Sequence, residues 1–94
     1  MSYYVYILAS RKNGTLYVGS TTNLVKRVYE HKNKFLEGFS SKYSVTDLVY
    51  FEEFGDIYEM ARRERRIKEW KRAWKVRIIE QQNPNWQDLY EVIC

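Results

Sequence analysis

Tyr4-Val5-Tyr6 and Tyr17-Val18-Gly19, with Asn13-Gly14 between them, form the stretch on which the fold of this chain turns. Asn-Gly between two runs of strand formers is a strong hairpin signal, because both central residues of a type I′ turn need positive φ. A two-residue loop there pairs Lys12 with Thr15, sets Ser10 opposite Tyr17 and puts Leu8 opposite Gly19. Period-2 alternation then places Tyr4, Tyr6, Leu8, Tyr17 and Gly19 on one face and Val5, Ile7, Leu16 and Val18 on the other. A longer loop would shift the register but not this separation within each strand. The aliphatic face reads as core, and the tyrosine face calls for another explanation.

Outward from the hairpin, Tyr3 to Ala9 and Thr15 to Ser20 are the strands, and Thr21-Thr22-Asn23 supplies N-cap chemistry. The first helix is expected from Leu24 to Phe35, with Leu24, Val25, Val28 and Phe35 as its apolar stripe. Arg27 and His31 lie four apart at the border of that stripe, where they can lean over the sheet edge. Leu36 to Ser44 reads as a loop that brings Lys42 within reach of a substrate strand. Leu48 to Phe54 is a third strand, alternating Leu48, Tyr50 and Glu52 on one face with Val49, Phe51 and Glu53 on the other. Gly55-Asp56 caps a helix from Ile57 to Lys71, and Arg72 to Gln82 continues or restarts it with Trp74, Ile78 and Ile79 as anchors. Pro84 ends that run, and Trp86, Leu89, Tyr90 and Val92 close the chain by packing back. The order β-β-α-β-α-α argues an α+β fold: a small three-stranded antiparallel sheet flanked by helices.

A chain of 94 residues is expected to form one domain over 1–94, without room for a separate recognition domain. The net charge of +4 is a mild hint of a polyanionic partner. Cys94 is the one cysteine, which excludes a disulfide framework and a cysteine-based zinc site. No apolar run approaches the ~20 residues of a membrane span, and Met1-Ser2-Tyr3 lacks the features of a signal peptide. The expectation is a soluble cytoplasmic protein.

At 100° per residue Ile57, Met60, Ala61 and Ile67 share one stripe, with Glu64 in its middle and Lys68 and Lys71 beside it. A carboxylate on a buried face is costly unless a charge, a donor or a metal ion meets it. A structural Glu64 to Lys68 pair, four apart, is the simpler alternative. Nine of the sixteen basic residues lie between Arg62 and Arg77, opposed only by Glu64 and Glu69. Such a density suits backbone phosphates, with Lys42, Arg65, Arg66, Lys68, Lys71, Arg72 and Lys75 as candidate contacts. A solvated helix face explains Arg62, Arg65 and Arg66 equally well. Trp70 and Trp74 read as core, and Gly19 as a point of close packing against the helix that follows.

These motifs together, Tyr4-Val5-Tyr6, Tyr17-Val18-Gly19, Arg27, His31 and Glu64, resemble the GIY-YIG nuclease superfamily, most closely its small stand-alone bacterial members. The likeness runs to Asn83-Pro84-Asn85-Trp86. Tyr4 departs from the family's usual glycine, and Val18 replaces isoleucine conservatively. The resemblance implies a Mg²⁺- or Mn²⁺-dependent endonuclease acting on duplex or branched DNA, in repair or recombination, with Glu64 as metal ligand. It implies Tyr6 as general base, with Tyr17 as its hydrogen-bonding partner and Arg27 sharing charge on the phosphate. A free tyrosine with a pKa of ~10 is nearly all protonated at neutral pH, so His31, Arg27 and the metal are the expected means of activating it. Asn83 matches the family's late asparagine and would orient Glu64 or a substrate group; a helix C-cap before Pro84 explains it as well.

Two other functions fit the same residues. One is a catalytically weak nucleic-acid-binding or repair-associated module, targeted by a protein partner. The other is an interaction domain whose basic helix takes an acidic protein.

Overall fold

The computed structural model describes residues 1–34, 38 and 42–94. Along the chain run β1 (Tyr3–Ala9), β2 (Leu16–Thr21), α1 (Leu24–Lys32), β3 (Asp47–Phe54), α2 (Ile57–Glu69), α3 (Arg72–Gln82) and the short α4 (Tyr90–Ile93). The strands form an antiparallel sheet in the order β2-β1-β3, the architecture expected from the sequence.

The hairpin loop is longer than Asn13-Gly14 suggests. Ser10 N–H donates to Thr15 O at 3.0 Å and Gly14 N–H to Arg11 O at 2.9 Å, so the loop spans Arg11 to Gly14. Asn13 takes the positive φ, at 59°. Gly14 serves a close approach instead: a Cβ there would sit 2.3 Å from Ser10 Oγ. Leu8 consequently faces Tyr17 and Tyr6 faces Gly19, a shift of two residues from the expected pairing. An even shift keeps every side chain on its face, so the tyrosine and aliphatic sets survive intact.

Both faces are nevertheless core. Val5, Ile7, Ala9 and Val18 pack with Val49, Tyr50, Met60, Ile67, Ile79 and Trp86 under α2 and α3. On the opposite face Tyr6 and Leu8 pack with Leu24, Val28, Val45 and Leu48 under α1. A central strand covered on two sides needs an unbroken apolar run, which Val5 to Ala9 provides. β3 departs from simple alternation because its register with β1 shifts between Ile7 and Leu8. The extra residue puts Val49 beside Tyr50 in one cluster and leaves Leu48 and Phe51 in the other, as a bulge does.

The helices correct three further expectations. In α1, capped by the Asn23 side chain on Lys26 N–H, the buried residues are Leu24, Val28 and His31, while Val25 is 39% exposed; Phe35 lies outside the described residues. In α2, capped by Asp56, only Met60 and Ile67 are buried; Ile57 and Ala61 face solvent. The inward face is therefore rotated toward Arg63 and Glu64. Third, the helix does not run on to Lys71. Trp70 and Lys71 are extended, with ψ of 149° and 153°, and α3 starts afresh at Arg72. That corner leaves Trp74 57% exposed. Near the end of the chain Trp86 is buried and its Nε1 donates to Glu80, whereas Val92 is 72% exposed.

Candidate active site

Near the end of the edge strand β2, at Gly19-Ser20, side chains from both faces of the sheet converge. Tyr6, from the adjacent central strand, is fully buried, and its hydroxyl lies 3.0 Å from His31 Nε2 on α1. Gly19 is opposite Tyr6 in the ladder. A Cβ at Gly19 would stand 2.6 Å from the Tyr6 hydroxyl oxygen and 3.0 Å from the Tyr17 ring. The glycine thus makes room for the tyrosines, rather than for the following helix as its sequence context suggested. Tyr17, half-buried, completes the cluster with ring centroids 6.4 Å from Tyr6 and 5.3 Å from His31.

Burial pushes the Tyr6 hydroxyl well above the ordinary phenol range, and the Tyr17 hydroxyl adds to this. Arg27 pulls the other way by charge and hydrogen bonding, but burial wins. The nearby cation therefore does not turn Tyr6 into a phenolate, contrary to the expected means of activation. Burial, then the Arg27 charge, lower the pKa of His31 from 6.5, against the opposing pull of Glu30. A protonated Tyr6 thus meets a neutral imidazole, and a Tyr6 O–H can donate to an unprotonated Nε2. Arg27 remains partly exposed and also pairs with Glu30 at 3.4 Å.

Glu64 reaches the same edge from α2. Ser20 Oγ donates to its Oε1 at 2.6 Å, and Lys68 Nζ lies 2.8 Å from its Oε2. The side chain is 20% exposed, so the carboxylate sits at the rim of the core rather than in the middle of a buried stripe. It is close enough to Tyr6 to act on it by charge. Ser20 went unnoticed in the sequence, since a serine at a strand end carries no signal of a partner 44 residues away. Glu64, Arg65, Lys68, Ala61 and Glu69 line an open depression of about 440 Å³. Mg²⁺ is commonly held by one or two carboxylates, with water and substrate phosphate completing its shell. A single accessible carboxylate whose oxygens each keep a further lone pair fits that mode. Among the described residues no three or more His, Cys, Asp and Glu side chains gather into a metal-binding group.

The other expected site residues are placed unevenly. Asn83 is buried away from Glu64: its Nδ2 donates to Val49 O and Gln87 O, and its Oδ1 accepts from Gln87 N–H. With both ends of the amide committed to backbone, it tethers the end of α3 to β3, and it is the C-cap of α3, the alternative to orienting Glu64 that its place before Pro84 suggested. Arg72 is also engaged, donating to Gly14 O at 2.6 Å and so tying α3 to the hairpin loop. Lys75 Nζ reaches Lys68 O at 3.5 Å. Arg65, Arg66, Lys68 and Lys71 are exposed on α2 and the corner after it, and Lys42 is exposed beside Tyr43. Arg63, by contrast, turns inward to a two-pronged bond with Glu52, which also accepts from the Tyr50 hydroxyl. The basic segment is thus divided between structural and solvent-facing cations.

Similarity to known proteins extends over most of the chain. The GIY-YIG catalytic domain matches residues 2–77. A UPF0213 protein of Staphylococcus haemolyticus is 39% identical over 83 residues, covering 84% of this chain and 95% of that protein. A UPF0213 protein of Clostridium perfringens is 41% identical over 80 residues, 81% of each chain. The solution NMR structure of a UPF0213 protein from Bacillus halodurans is similar with a TM-score of 0.59 at 26% identity, over 94% of this chain and 93% of its own.

Proposed function

Because this chain belongs to the GIY-YIG catalytic-domain family, a nuclease family, we propose that it is a divalent-metal-dependent endonuclease cutting DNA phosphodiester bonds at the end of β2. The observation that carries this reading is the convergence there of the hydrogen-bonded Tyr6 and His31, Arg27 and the Ser20-bound Glu64. Hydrolysis needs a water that loses a proton, a sink for charge on the phosphoryl oxygens and help for the departing oxygen. Tyr17 is the half-buried member of the tyrosine cluster, and Tyr6 and His31 form its inner pair. As the water oxygen bonds to phosphorus, its proton passes to the Tyr17 hydroxyl oxygen, the Tyr17 proton to the Tyr6 oxygen and the Tyr6 proton to His31 Nε2, so no free phenolate has to form. Tyr6 keeps the part of general base with Tyr17 as its partner, and its complete burial makes Tyr17 the member that meets the water. Arg27 shares the developing charge. Glu64 would hold Mg²⁺ or Mn²⁺, which supplies charge stabilisation at the phosphate and the leaving oxygen. Arg65, Lys68 and Lys71 position the phosphate backbone without reading sequence.

With that activity we propose a role in cytoplasmic DNA repair or recombination, with a protein partner for targeting. Among the described residues no helix is long and apolar enough to cross a membrane. Incubation of the purified protein with supercoiled plasmid and branched oligonucleotides, with Mg²⁺ or Mn²⁺ against EDTA, tests the activity. Nicking that needs the metal is expected; plasmid and branches left intact under every metal condition would count against it.

A further inference from the structure

Trp74 stands where sequence periodicity expects core, yet the corner at Trp70-Lys71 turns it outward. Its ring meets Trp70 edge-on, with centroids 5.7 Å apart at 68°. Trp70 is in turn held by the Arg63 guanidinium, 5.0 Å from its centroid, and Arg63 by Glu52. The exposed indole therefore rests on a fixed support. Trp74, Trp70, Lys71 and Glu69 line a depression of about 250 Å³. Glu69 also borders the depression that holds Glu64, Arg65 and Lys68, so the two are neighbours along α2. Glu69 is five helical positions on from Glu64, a rise of about 7.5 Å.

We propose that Trp74 is a stacking platform for an unpaired nucleobase, so that the substrate is DNA with a single-stranded segment beside the cleavage point. This deepens the nuclease reading and rests on it for the identity of the polymer. An indole offers a flat apolar surface that any base can cover, and base–aromatic stacking is tolerant of sequence. A base within a duplex has its faces covered by its neighbours, so only an unpaired or extruded one can use the indole. Charge favours the same occupant. Lys71 lies at the platform and Arg65 and Lys68 on the path toward Glu64, opposed there by Glu69, and the whole Arg62 to Arg77 segment carries nine cations against two carboxylates.

The test measures binding in EDTA, which keeps it separate from cleavage. A fluorescent dT oligonucleotide and a fully paired two-strand duplex of equal strand length are titrated with wild type, Trp74→Ala and Trp74→Phe at one fixed low salt concentration. Loss of the indole should weaken dT binding about tenfold, the scale of one lost stacking contact, with little change on the duplex, and Trp74→Phe should restore most of it. Because Trp74 is largely exposed, both variants should melt near wild type. Unchanged dT affinity in Trp74→Ala, or equal loss on both DNAs, would overturn the platform. Binding to polyglutamate in preference to both DNAs would overturn it in favour of a protein partner. Absence of cleavage together with Trp74-dependent dT binding would count against the nuclease reading alone.

Discussion

The Tyr6 hydroxyl and His31 Nε2 lie 3.0 Å apart inside the fold, which makes the two side chains one proton-sharing unit whose state depends on both environments. Tyr6 is held protonated and His31 neutral, chiefly by burial. The unit is ready to accept a proton at neutral pH only while the imidazole stays uncharged.

This sets a pH dependence whose sign can be worked out. His31 has a folded pKa below its ordinary 6.5, so between the two values the unfolded chain binds more protons than the folded one. Stability then rises with pH in that window and is lost as pH falls below about 6.5, levelling off once the folded imidazole is also protonated. Melting temperature followed from pH 8 to 5 should show this slope, and His31→Gln should flatten it. Cleavage should fall at the lower end of that window, where the folded imidazole takes up its proton and the accepting form disappears; a rate that increases on acidification would contradict neutral His31 as the acceptor.

Tyr6→Phe removes the hydroxyl and leaves the ring in place. General acid–base groups contribute roughly 10²- to 10⁴-fold in rate, and nicking should fall within that range while DNA binding persists. The buried imidazole loses one partner, so a stability loss of about 1 to 3 kcal/mol is expected in a denaturant melt. Wild-type nicking by Tyr6→Phe would move the base to Tyr17 with His31, or to a metal-bound hydroxide.

Replacing Arg65, Arg66 and Lys71 together with glutamate should weaken binding to every duplex alike. The three are exposed, and Arg72 is left alone because it holds the hairpin loop. Each lost phosphate contact flattens the slope of log affinity against log salt by about 0.9. Anisotropy titrations across a salt series read both quantities, and unchanged affinity would locate the DNA surface elsewhere, for instance near Lys42.

Much of this was legible in the sequence because it depends on periodicity. The division between Tyr6, Tyr17 and Gly19 on one side and Val5, Ile7 and Val18 on the other survives any even shift of register, so the four-residue loop did not disturb it. Elements with a cap and a clear stripe, such as α1 after Asn23, started where expected. What was missed depends on long-range geometry. The bulge at Val49, the bond from Ser20 to Glu64 and the fit of Gly19 over the Tyr6 hydroxyl each join residues distant in sequence. Trp74 reads as an anchor because it stands four residues before Ile78, but the corner at Trp70 and Lys71, which no proline or glycine marks, sets the start of α3 so that this position faces outward. Burial of Tyr6 was missed for a related reason: the alternation revealed one covered face of the sheet but not that α1 covers the second.

The central claim is that Glu64 is held at the end of β2 for chemistry rather than for stability. Its partner Lys68 is 52% exposed, so the pair contributes only about 0.2 to 1 kcal/mol, and glutamine can still accept from Ser20. The most direct measurement is metal-dependent nicking of supercoiled plasmid by wild type and Glu64→Gln, beside a metal-free melting curve of each. Collapse of nicking with a melting temperature close to wild type is the predicted result. Strong destabilisation with cleavage intact at low temperature would contradict it and return Glu64 to a structural role.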